Sequence, residues 1–194
     1  MKIGVLALQG AFIEHQHVLN QLNVETIDIR LPEQLNQISG LIIPGGESTT
    51  IGKLAVAYNF IEPLVNFAQH KPVWGTCAGM IFIAKRIENH YQHKLDVMDI
   101  TIRRNAFGRQ VDSFITPLNI PELNSISEKP FPCVFIRAPA VIDYGPSVQV
   151  MAQLVDGNIV AVREKQWLAT AFHPELTDDN RFHRYFINMV VNNH

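Results

Sequence analysis

The sequence has few cysteines and little charge, and both shortages exclude classes of protein. Cys77 and Cys133 are the only cysteines in 194 residues. Two are too few for the disulfide framework of a small secreted domain, so both are expected to stay thiols in a reducing compartment. Charged residues make up 18% of the chain, the net charge is -2, and no run of Lys or Arg occurs. Nucleic acid and anionic membranes are therefore poor candidates for partners.

Long apolar runs are also missing. No stretch approaches the roughly 20 apolar residues that span a bilayer. Gly4 and Gly10 interrupt the first ten residues, where a signal peptide needs a longer apolar run and a cleavage site. We expect a cytoplasmic protein. The length and the 47% hydrophobic content predict one domain, residues 1–194, with a full hydrophobic core.

Apolar runs that end at glycine or proline alternate with amphipathic stretches in the first half of the chain. This order is typical of strands and helices wound into an α/β sheet. The predicted strands cover residues 3–8, 24–29, 41–43 and 72–74. The predicted helices cover residues 11–22, 32–38, 80–86 and a long segment capped by Ser48 or Thr49 that runs to about Gln69 and bends or divides at Pro63.

The second half of the chain has a different sequence pattern, which predicts short strands at close spacing. They are predicted at residues 97–102, 111–115, 133–136, 148–155, 159–163 and 167–172. This spacing predicts that part of the sheet is antiparallel. A final helix, capped near Thr177 or Asp178, would carry four apolar residues on one face, namely Phe182, Tyr185, Phe186 and Met189.

Cys77 lies between glycines at a predicted strand-to-helix junction. The pattern Gly75-x-Cys77-x-Gly79 is that of a nucleophile elbow with cysteine in place of serine. Glycines relieve the clashes of such a sharp turn, and the helix N-terminus favours the thiolate. The alternative is a buried structural thiol. Cys133 lies in an apolar run without turn glycines and is predicted to belong to the core.

His173 and Glu175, either side of Pro174, are candidates for a base and its orienting group. In an extended segment, residues two apart project to the same side, so Glu175 could hold the imidazole of His173. Pro174 fixes φ and is expected to keep the segment from becoming helical. The alternative is a surface histidine followed by a glutamate that only charges the first turn of a helix.

The turn at residues 44–49, Pro-Gly-Gly-Glu-Ser-Thr, follows another buried strand. Its backbone N–H groups, with that of Ala78, could receive a developing oxyanion. A phosphate-binding loop is the rival interpretation. The spacing from Gly46 to Gly52-Lys53 is one residue too long for it, and Leu54 replaces the hydroxyl residue.

The other histidines and the arginines are less informative. The pairs His15 with His17 and His90 with His93 lack a matching carboxylate or cysteine cluster, so solvated surface residues are predicted rather than a metal site. Arginines are usually surface cations, but a carboxylate ligand would need a bidentate partner. The candidates for that role are Arg103, Arg104, Arg109 and Arg137.

Taken together, the motifs resemble those of the class I, or triad-type, glutamine amidotransferases. Within that family, six stretches from residue 6 to residue 177 are similar to the glutaminase subunit of pyridoxal 5′-phosphate synthase: LALQGA, IPGGESTTI, GTCAG, RNAFGRQVDSF, VFIRAP and FHPELT. RNAFGRQ and VFIRAP are the specific ones. The departures are the bulky Met80-Ile81-Phe82 after the elbow and a slightly long loop at residues 119–132.

The resemblance implies a three-layer α/β/α, flavodoxin-like fold with a mixed central sheet. It implies hydrolysis of L-glutamine to glutamate and ammonia, which would pass to a (β/α)8-barrel synthase in a hetero-oligomer. That synthase builds pyridoxal 5′-phosphate from a pentose phosphate and a triose phosphate. No metal or organic cofactor is implied for this subunit.

Residue roles carry over onto matching positions. The resemblance implies Cys77, His173 and Glu175 as the catalytic residues, and Gly45, Gly46 and Ala78 as the oxyanion hole. Glutamine binding would fall to Gly46, Glu47, Ser48, Arg104, Ile136 and Arg137. Gln9 would lie near the oxyanion site at the partner interface, although a structural role at the end of a strand is an open alternative.

Two other functions are compatible with parts of the sequence. The chain could be a glutaminase for a synthase of histidine, purine or folate-related pathways, which the RNAFGRQ stretch argues against. It could also be a non-catalytic flavodoxin-like binding or regulatory module. The presence of Cys77, His173 and Glu175 together argues against that second alternative.

Overall fold

The computed structural model describes residues 1–108 and 112–193 as a mixed α/β fold. Within these residues five α-helices are formed, which we number in chain order: α1 (Phe12–Gln21), α2 (Ser48–Ala57), α3 (Ile61–His70), α4 (Ala78–Ile83) and α5 (Arg181–Val191). Short 3₁₀ helices cover Pro32–Gln37, Pro121–Leu123 and Pro174–Leu176. None of the helices in the described residues has the length and apolar character needed to cross a membrane.

Ten of the strands in the described residues form one large sheet. The strands are β1 (Lys2–Leu6), β2 (Glu25–Ile29), β3 (Gly40–Ile43), β4 (Val73–Thr76), β5 (Ala84–Ile87), β6 (Met98–Arg103), β7 (Ser113–Leu118), β8 (Phe131–Ile136), β9 (Ala140–Tyr144), β10 (Gln149–Gln153), β11 (Ile159–Glu164) and β12 (Trp167–Thr170). The order in the large sheet is β2-β1-β3-β4-β12-β11-β9-β6-β5, β10 pairs with β11, and β7 with β8 forms a separate hairpin.

The direction of the strands changes across the sheet. β1, β2, β3, β4 and β12 are all parallel to one another, whereas β12-β11, β11-β9 and β9-β6 are antiparallel pairs. The predicted mixture of parallel and antiparallel pairing is confirmed. Ligands bind preferentially beyond the carboxyl ends of parallel strands, and β4 and β12 end next to each other at such an edge.

Helices cover both faces of the sheet around β4. Successive side chains of a strand point to opposite faces. Trp74 packs against Phe182 and Phe186 of α5 on one face. Gly75 faces the other side, where a Cβ would lie 2.5 Å from the backbone of Gly79 in α4. The central strands are therefore buried on both faces, which accounts for their nearly continuous apolar sequences.

The prediction of one long helix from residue 48 is wrong about where the helix divides and about which residue caps it. The helical conformation is interrupted at Asn59, which has a left-handed φ of 56°. Pro63 lies in the first turn of α3, where no backbone N–H is needed. The cap of α2 is Glu47, whose side chain accepts hydrogen bonds from the N–H groups of Thr49 and Thr50. A carboxylate therefore takes the place predicted for the hydroxyl of Ser48 or Thr49.

Other boundaries also differ from the prediction. The helix after the elbow ends at Ile83, and its last predicted residues form β5 instead. β9 was not predicted, the final helix begins at Arg181 rather than near Thr177, and the 32–38 segment is a 3₁₀ helix. The four apolar residues predicted on one face of α5 do pack inward, with Tyr185 at the edge. Val111, predicted to begin a strand, lies outside the described residues.

The connection between β7 and β8, residues 119–130, is anchored by Arg181; the last two residues of the loop predicted at 119–132 belong to β8. The Arg181 guanidinium donates hydrogen bonds to the carbonyl oxygens of Ser127, Lys129 and Pro130, and it pairs with Asp179. The ring of Phe131 lies against the same guanidinium, with 5.5 Å between ring centroid and Cζ. A buried cation thus satisfies carbonyl groups that the irregular loop leaves without partners.

Candidate active site

Cys77 occupies a strained turn between β4 and α4. Its backbone has φ 48° and ψ -102°, a combination that non-glycine residues seldom adopt and that occurs mostly at functional sites. The Cys77 N–H donates to the Thr170 carbonyl at 2.8 Å, which ties the turn to the end of β12. The sulfur lies 3.8 Å from the Ile136 carbonyl oxygen and at the N-terminus of α4.

Both glycines beside Cys77 are required by close backbone approaches. A Cβ at Gly79 would lie 2.0 Å from the carbonyl oxygen of Ile43, and one at Gly75 would lie 2.5 Å from the backbone of Gly79. Because the atoms contacted belong to the backbone, these clashes could not be relieved by rotation of a side chain. The sequence-based explanation of these glycines, that they avoid clashes at a sharp turn, is confirmed.

His173 and Glu175 form a buried pair next to Cys77. His173 Nδ1 lies 2.7 Å from Glu175 Oε1, and the His173 N–H donates to the Val134 carbonyl at 2.8 Å. The predicted contact is present, but the predicted extended backbone is wrong, because Pro174–Leu176 forms a 3₁₀ turn. Proline starts such a turn readily, since its fixed φ suits the first position and its missing N–H is not needed there.

Electrostatics favour a positive charge on the His173 ring. Burial lowers the pKa of His173, but hydrogen bonding with Cys77 and Glu175 outweighs burial and raises the pKa to about 10. Burial raises the pKa of Glu175, but the neighbouring histidines outweigh this effect and lower it overall. Near neutral pH the sulfur therefore faces an imidazolium that an ionised carboxylate supports.

A pocket of about 510 Å³ opens over Cys77. With one exception, every residue to which the resemblance gives a role lines it: Gln9, Gly45, Gly46, Glu47, Ser48, Cys77, Ala78, Arg104, Ile136, Arg137 and His173. The exception is Glu175, which is buried behind His173. Arg103, a further candidate for the carboxylate partner, pairs with Glu88 instead. The folded chain thus brings residues from six separate parts of the sequence to one cavity.

The Gly45-Gly46 turn lies directly against the side chains of His173 and Cys77. A Cβ on Gly45 would lie 2.4 Å from His173 Cε1 and 3.4 Å from the Cys77 Cβ. The Gly45 carbonyl oxygen accepts the Ala11 N–H at 3.0 Å. Because the N–H of a trans peptide points opposite to its carbonyl, the Gly46 N–H is directed away from Ala11. Neither glycine has a positive φ in this arrangement.

Gln9 and Glu47 hold the far side of the same turn. The Glu47 N–H donates to Gln9 Oε1 at 2.8 Å, and a Cβ at Gly46 would lie 2.3 Å from that oxygen. Partial burial raises the pKa of Glu47, but hydrogen bonds from Thr50 and Thr49 outweigh it and lower the pKa to about 2. The Glu47 carboxylate is therefore ionised and fixed at the N-terminus of α2.

The capping role of Glu47 leads to a stability prediction. Glu47→Ala should lower the free energy of unfolding by about 1 kcal/mol at pH 7, as expected for loss of an N-cap. The folded-state pKa of about 2 lies below the ordinary value of 4.5, so the contribution of the charge is complete above 4.5 and is lost as the pH falls through 2. Urea unfolding at a series of pH values should show the difference between wild type and variant shrinking over that range.

Glu62 provides the control, because it is an exposed glutamate in the first turn of α3 without a capping hydrogen bond. Glu62→Ala should change the free energy of unfolding by less than about 0.5 kcal/mol. An equal loss of stability in both variants would contradict the capping role of Glu47.

Arg104 and Arg137 approach the pocket differently. Arg104 Nη2 lies 3.7 Å from Glu47 Oε1, and Arg104 Nη1 donates to His90 Nε2 at 2.6 Å. The guanidinium is held at the rim with donors to spare. Arg137 is exposed and has a left-handed φ of 42°, and its N–H donates to the Asp112 carbonyl at 2.7 Å. Arg109, another candidate, lies outside the described residues.

Comparison with known proteins places the chain in a family. The profile of the SNO glutamine amidotransferase family matches residues 5–192. The chain belongs to this family. It is 58% identical to the pyridoxal 5′-phosphate synthase subunit PdxT of Carboxydothermus hydrogenoformans, over 98% of both chains. It is 50% identical to the PdxT subunit of Thermotoga neapolitana, over 98% of this chain and 100% of that one.

Solved structures agree with the family membership. A crystal structure described as a glutamine amidotransferase superposes with a TM-score of 0.90 at 44% identity, covering 97% of this chain and 98% of that one. A chain in the structure of PurLQS from Thermotoga maritima superposes with a TM-score of 0.67 at 16% identity, covering 96% of this chain and 97% of that one. The second likeness shows the shared fold alone. The predicted class I amidotransferase fold is confirmed.

Several residues around the candidate site were missed or misjudged from the sequence. Asn105, Ile81 and Leu176 also line the pocket. The prediction that His15 is a solvated surface residue is wrong, because His15 is fully buried behind Glu175. Among the described residues no group of three or more His, Cys, Asp or Glu is arranged to hold a metal ion. Burial is the one feature that distinguishes His15 from a surface histidine, and it depends on packing that the sequence does not display.

Proposed function

We propose that this chain, as one domain over residues 1–194, is the glutaminase subunit of a pyridoxal 5′-phosphate synthase. One observation carries the proposal: Cys77, on a strained elbow at the floor of a pocket, adjoins a His173–Glu175 pair in a chain of the amidotransferase family. Relatives with 50–58% identity over nearly their full length are named as the PdxT subunit of that synthase.

The arrangement suits hydrolysis of the side-chain amide of glutamine. The Cys77 sulfur attacks the amide carbon, and the tetrahedral intermediate collapses to a thioester as His173 gives its proton to the departing ammonia. His173 then takes a proton from water, which attacks the thioester and releases glutamate. Glu175 keeps the ring of His173 oriented and stabilises its positive charge in both steps.

The oxyanion of each tetrahedral intermediate needs donors near Cys77. The Ala78 N–H at the start of α4 is one, because the first N–H groups of a helix have no partner inside it. The Gly46 N–H, which points away from Ala11, is the second. Gly45 has to be glycine for the turn to approach His173 this closely, since a Cβ would lie 2.4 Å from the ring.

Binding of the glutamine backbone would use the rim of the pocket. Arg104 has free donors for the α-carboxylate, and the Ser48 hydroxyl and the backbone around Gly46 and Glu47 lie on the same wall. In this proposal the Ile136 carbonyl, with Arg137 beside it on the pocket wall, would accept a hydrogen bond from the α-amino group. The negative charge of Glu47 near Arg104 keeps that guanidinium at the rim before substrate arrives.

The partner in this proposal is a (β/α)8-barrel synthase that receives the ammonia in a hetero-oligomer. Free ammonia is protonated in water at neutral pH and lost as a nucleophile, so hydrolysis without an acceptor wastes glutamine. Gln9 is the candidate sensor, because its side chain holds the Glu47 N–H next to the oxyanion turn. In the isolated chain the Gly45-Gly46 peptide can rotate at little steric cost, and docking against Gln9 would hold it in the orientation that directs the Gly46 N–H at the oxyanion.

Adding the synthase should therefore raise steady-state glutamate release by at least about tenfold, since one oxyanion donor is typically worth about 10²–10³ in rate. Coupled measurement of glutamate with and without the matching synthase checks this result. Gln9→Ala should lower the activated rate and leave the basal rate of the isolated chain closer to wild type. Equal rates for the isolated chain and the complex would contradict the switch and leave the roles of Cys77 and His173 intact.

A further inference from the structure

Two buried histidines lie behind the candidate active site without lining its pocket. His15 on α1 and His183 on α5 are both 0% exposed, and His15 Nδ1 lies 3.0 Å from His183 Nε2. Both rings pack edge-on against Trp74, with centroid distances of 5.5 and 5.0 Å. Burying polar rings is unfavourable unless their nitrogens form hydrogen bonds. Apolar packing around Trp74 therefore does not explain why two histidines occupy this position.

His15 connects this pair to the carboxylate of Glu175. One oxygen, Glu175 Oε1, contacts His173 at 2.7 Å. The other, Oε2, lies 3.4 Å from His15 Nε2, and both side chains are fully buried. The contact is too poorly aligned to count as a hydrogen bond, and Oε2 has no hydrogen-bond partner among the described residues. His15 Nε2 also lies 3.3 Å from Thr76 Oγ1. An ionised carboxylate accepts hydrogen bonds at both oxygens, so His15 is the group placed to satisfy the second one.

The protonation of the two histidines fits this contact. Burial lowers the pKa of His15 against the opposing charge of Glu175, and burial also lowers the pKa of His183 well below its usual range. Each ring is then neutral, with one donor nitrogen. We assign the proton of His15 to Nε2, because a lone pair there would face the carboxylate. His15 Nδ1 then accepts from the Nε2–H of His183.

We propose that His15 is a positioning residue for the glutaminase reaction: its Nε2–H holds Glu175 Oε2 and thereby fixes the carboxylate in the orientation that supports His173. His183 orients His15 from behind. The inference rests on the proposed function and extends the chain of contacts from Cys77 through His173 and Glu175 to α1 and α5. His15 does not reach the substrate and acts only through Glu175.

The charged and titratable groups around His15 come from several elements. Glu175 and His173 face it from the turn that follows β12, His183 faces it from α5, and Glu14 adjoins it on α1. Removal of the His15 donor takes the nearby N–H away from Glu175 Oε2 and weakens the support that the carboxylate gives to His173. The imidazolium of His173 should then be less stable, and the reactive form of Cys77 should need a higher pH.

Two polar substitutions separate the proposed role from a general packing role. In His15→Gln the amide lies near the position of Nε2 and can still donate to Glu175, whereas in His15→Asn it lies near Nδ1 and cannot reach. In the complex with the synthase, His15→Asn should lower kcat by about 10- to 100-fold. The range is taken by analogy with metal sites, where removal of a residue that orients a ligand histidine has an effect of that size. His15→Gln should stay within about fivefold of wild type, and KM for glutamine should change little in either variant.

Alkylation of Cys77 by iodoacetamide provides a readout that packing alone would not move. The rate of Cys77 alkylation, followed by mass mapping of the full-length chain, should reach half of its maximum at a higher pH in His15→Asn than in wild type. His15→Gln should follow the wild-type profile. His17→Asn is the matched control, because His17 is exposed on the same helix and contacts Gln21, and it should change neither readout.

The outcomes are decisive in both directions. A folded His15→Asn with wild-type kcat and a wild-type alkylation profile would overturn the proposal. Equal losses of kcat in His15→Asn and His15→Gln, without a shifted profile, would also overturn it. If the wild-type complex released no glutamate, the proposed function would fail, but the alkylation profiles would still decide the role of His15 because they need no glutamine.

Discussion

Cys77→Ala is expected to reduce glutamate release by the complex by about 10⁴-fold or more, since removing a covalent nucleophile abolishes nearly all of the catalysis that depends on it. Alanine keeps the Cβ of the elbow and removes only the sulfur. Its backbone can therefore still donate to the Thr170 carbonyl. Steady-state glutamate release in the presence of synthase measures the effect, and circular dichroism checks that the variant is folded.

Cys133 is the matched control for Cys77. It is fully buried in β8, and burial together with the charge of Asp179 raises its pKa. A diazo-ketone analogue of glutamine should label Cys77 and abolish activity while leaving Cys133 unmodified. Cys133→Ala should retain glutaminase activity. Mass mapping that placed the label on Cys133 would refute the assignment of the nucleophile.

His173→Asn is expected to reduce glutamate release by about 10⁴-fold or more. The loss of rate in Glu175→Gln should be about tenfold smaller, because an orienting group usually contributes less than the base it orients. Asparagine can neither protonate the departing ammonia nor activate water. Glutamine at position 175 keeps the shape of the side chain and removes the charge that stabilises the imidazolium. Both rates should be measured with the synthase present.

His70 is a suitable control for these two variants, because it is an exposed histidine on α3 that does not line the pocket over Cys77. His70→Asn should have wild-type kcat and KM. Wild-type turnover by His173→Asn would show that another histidine is the base. A loss in Glu175→Gln larger than that in His173→Asn would mean that the carboxylate does more than orient the ring.

The parts of the site that could be predicted from sequence are those encoded over a few residues. Gly75, Cys77 and Gly79 mark the elbow, since the glycines are needed by close approaches within the same turn and its neighbours. His173 and Glu175 are two residues apart, so their contact depends on a single turn. Their backbone was wrongly expected to be extended, but a 3₁₀ turn brings the two side chains together equally well.

The parts that could not be predicted depend on contacts between distant segments. His15 is buried because α1 packs beside α5 and the turn that carries Glu175, and no local pattern records that packing. β9 was missed because Asp143 and Tyr144 make its second half polar and exposed, while its place between β6 and β11 is set by long-range pairing. Local propensity cannot detect strands that depend on such neighbours.

The capping of α2 shows a third kind of error. Ser48 and Thr49 have good capping side chains, and propensity favours them. The structure uses Glu47 instead, because the turn ends one residue earlier, where Gln9 from the loop after β1 holds its N–H. The start of the helix is thus set by a contact 38 residues away in the sequence.

Transfer of amide nitrogen tests the central claim most directly. The chain and its matching synthase would be supplied with pentose phosphate, triose phosphate and glutamine labelled with ¹⁵N at the amide, and the pyridoxal 5′-phosphate formed would be analysed by mass spectrometry. The account predicts that the ring nitrogen carries the label, that glutamate forms in equal amount or in excess, and that Cys77→Ala abolishes both. Pyridoxal 5′-phosphate that forms without the label at the wild-type rate, or no glutamate release in the complete mixture, would contradict it.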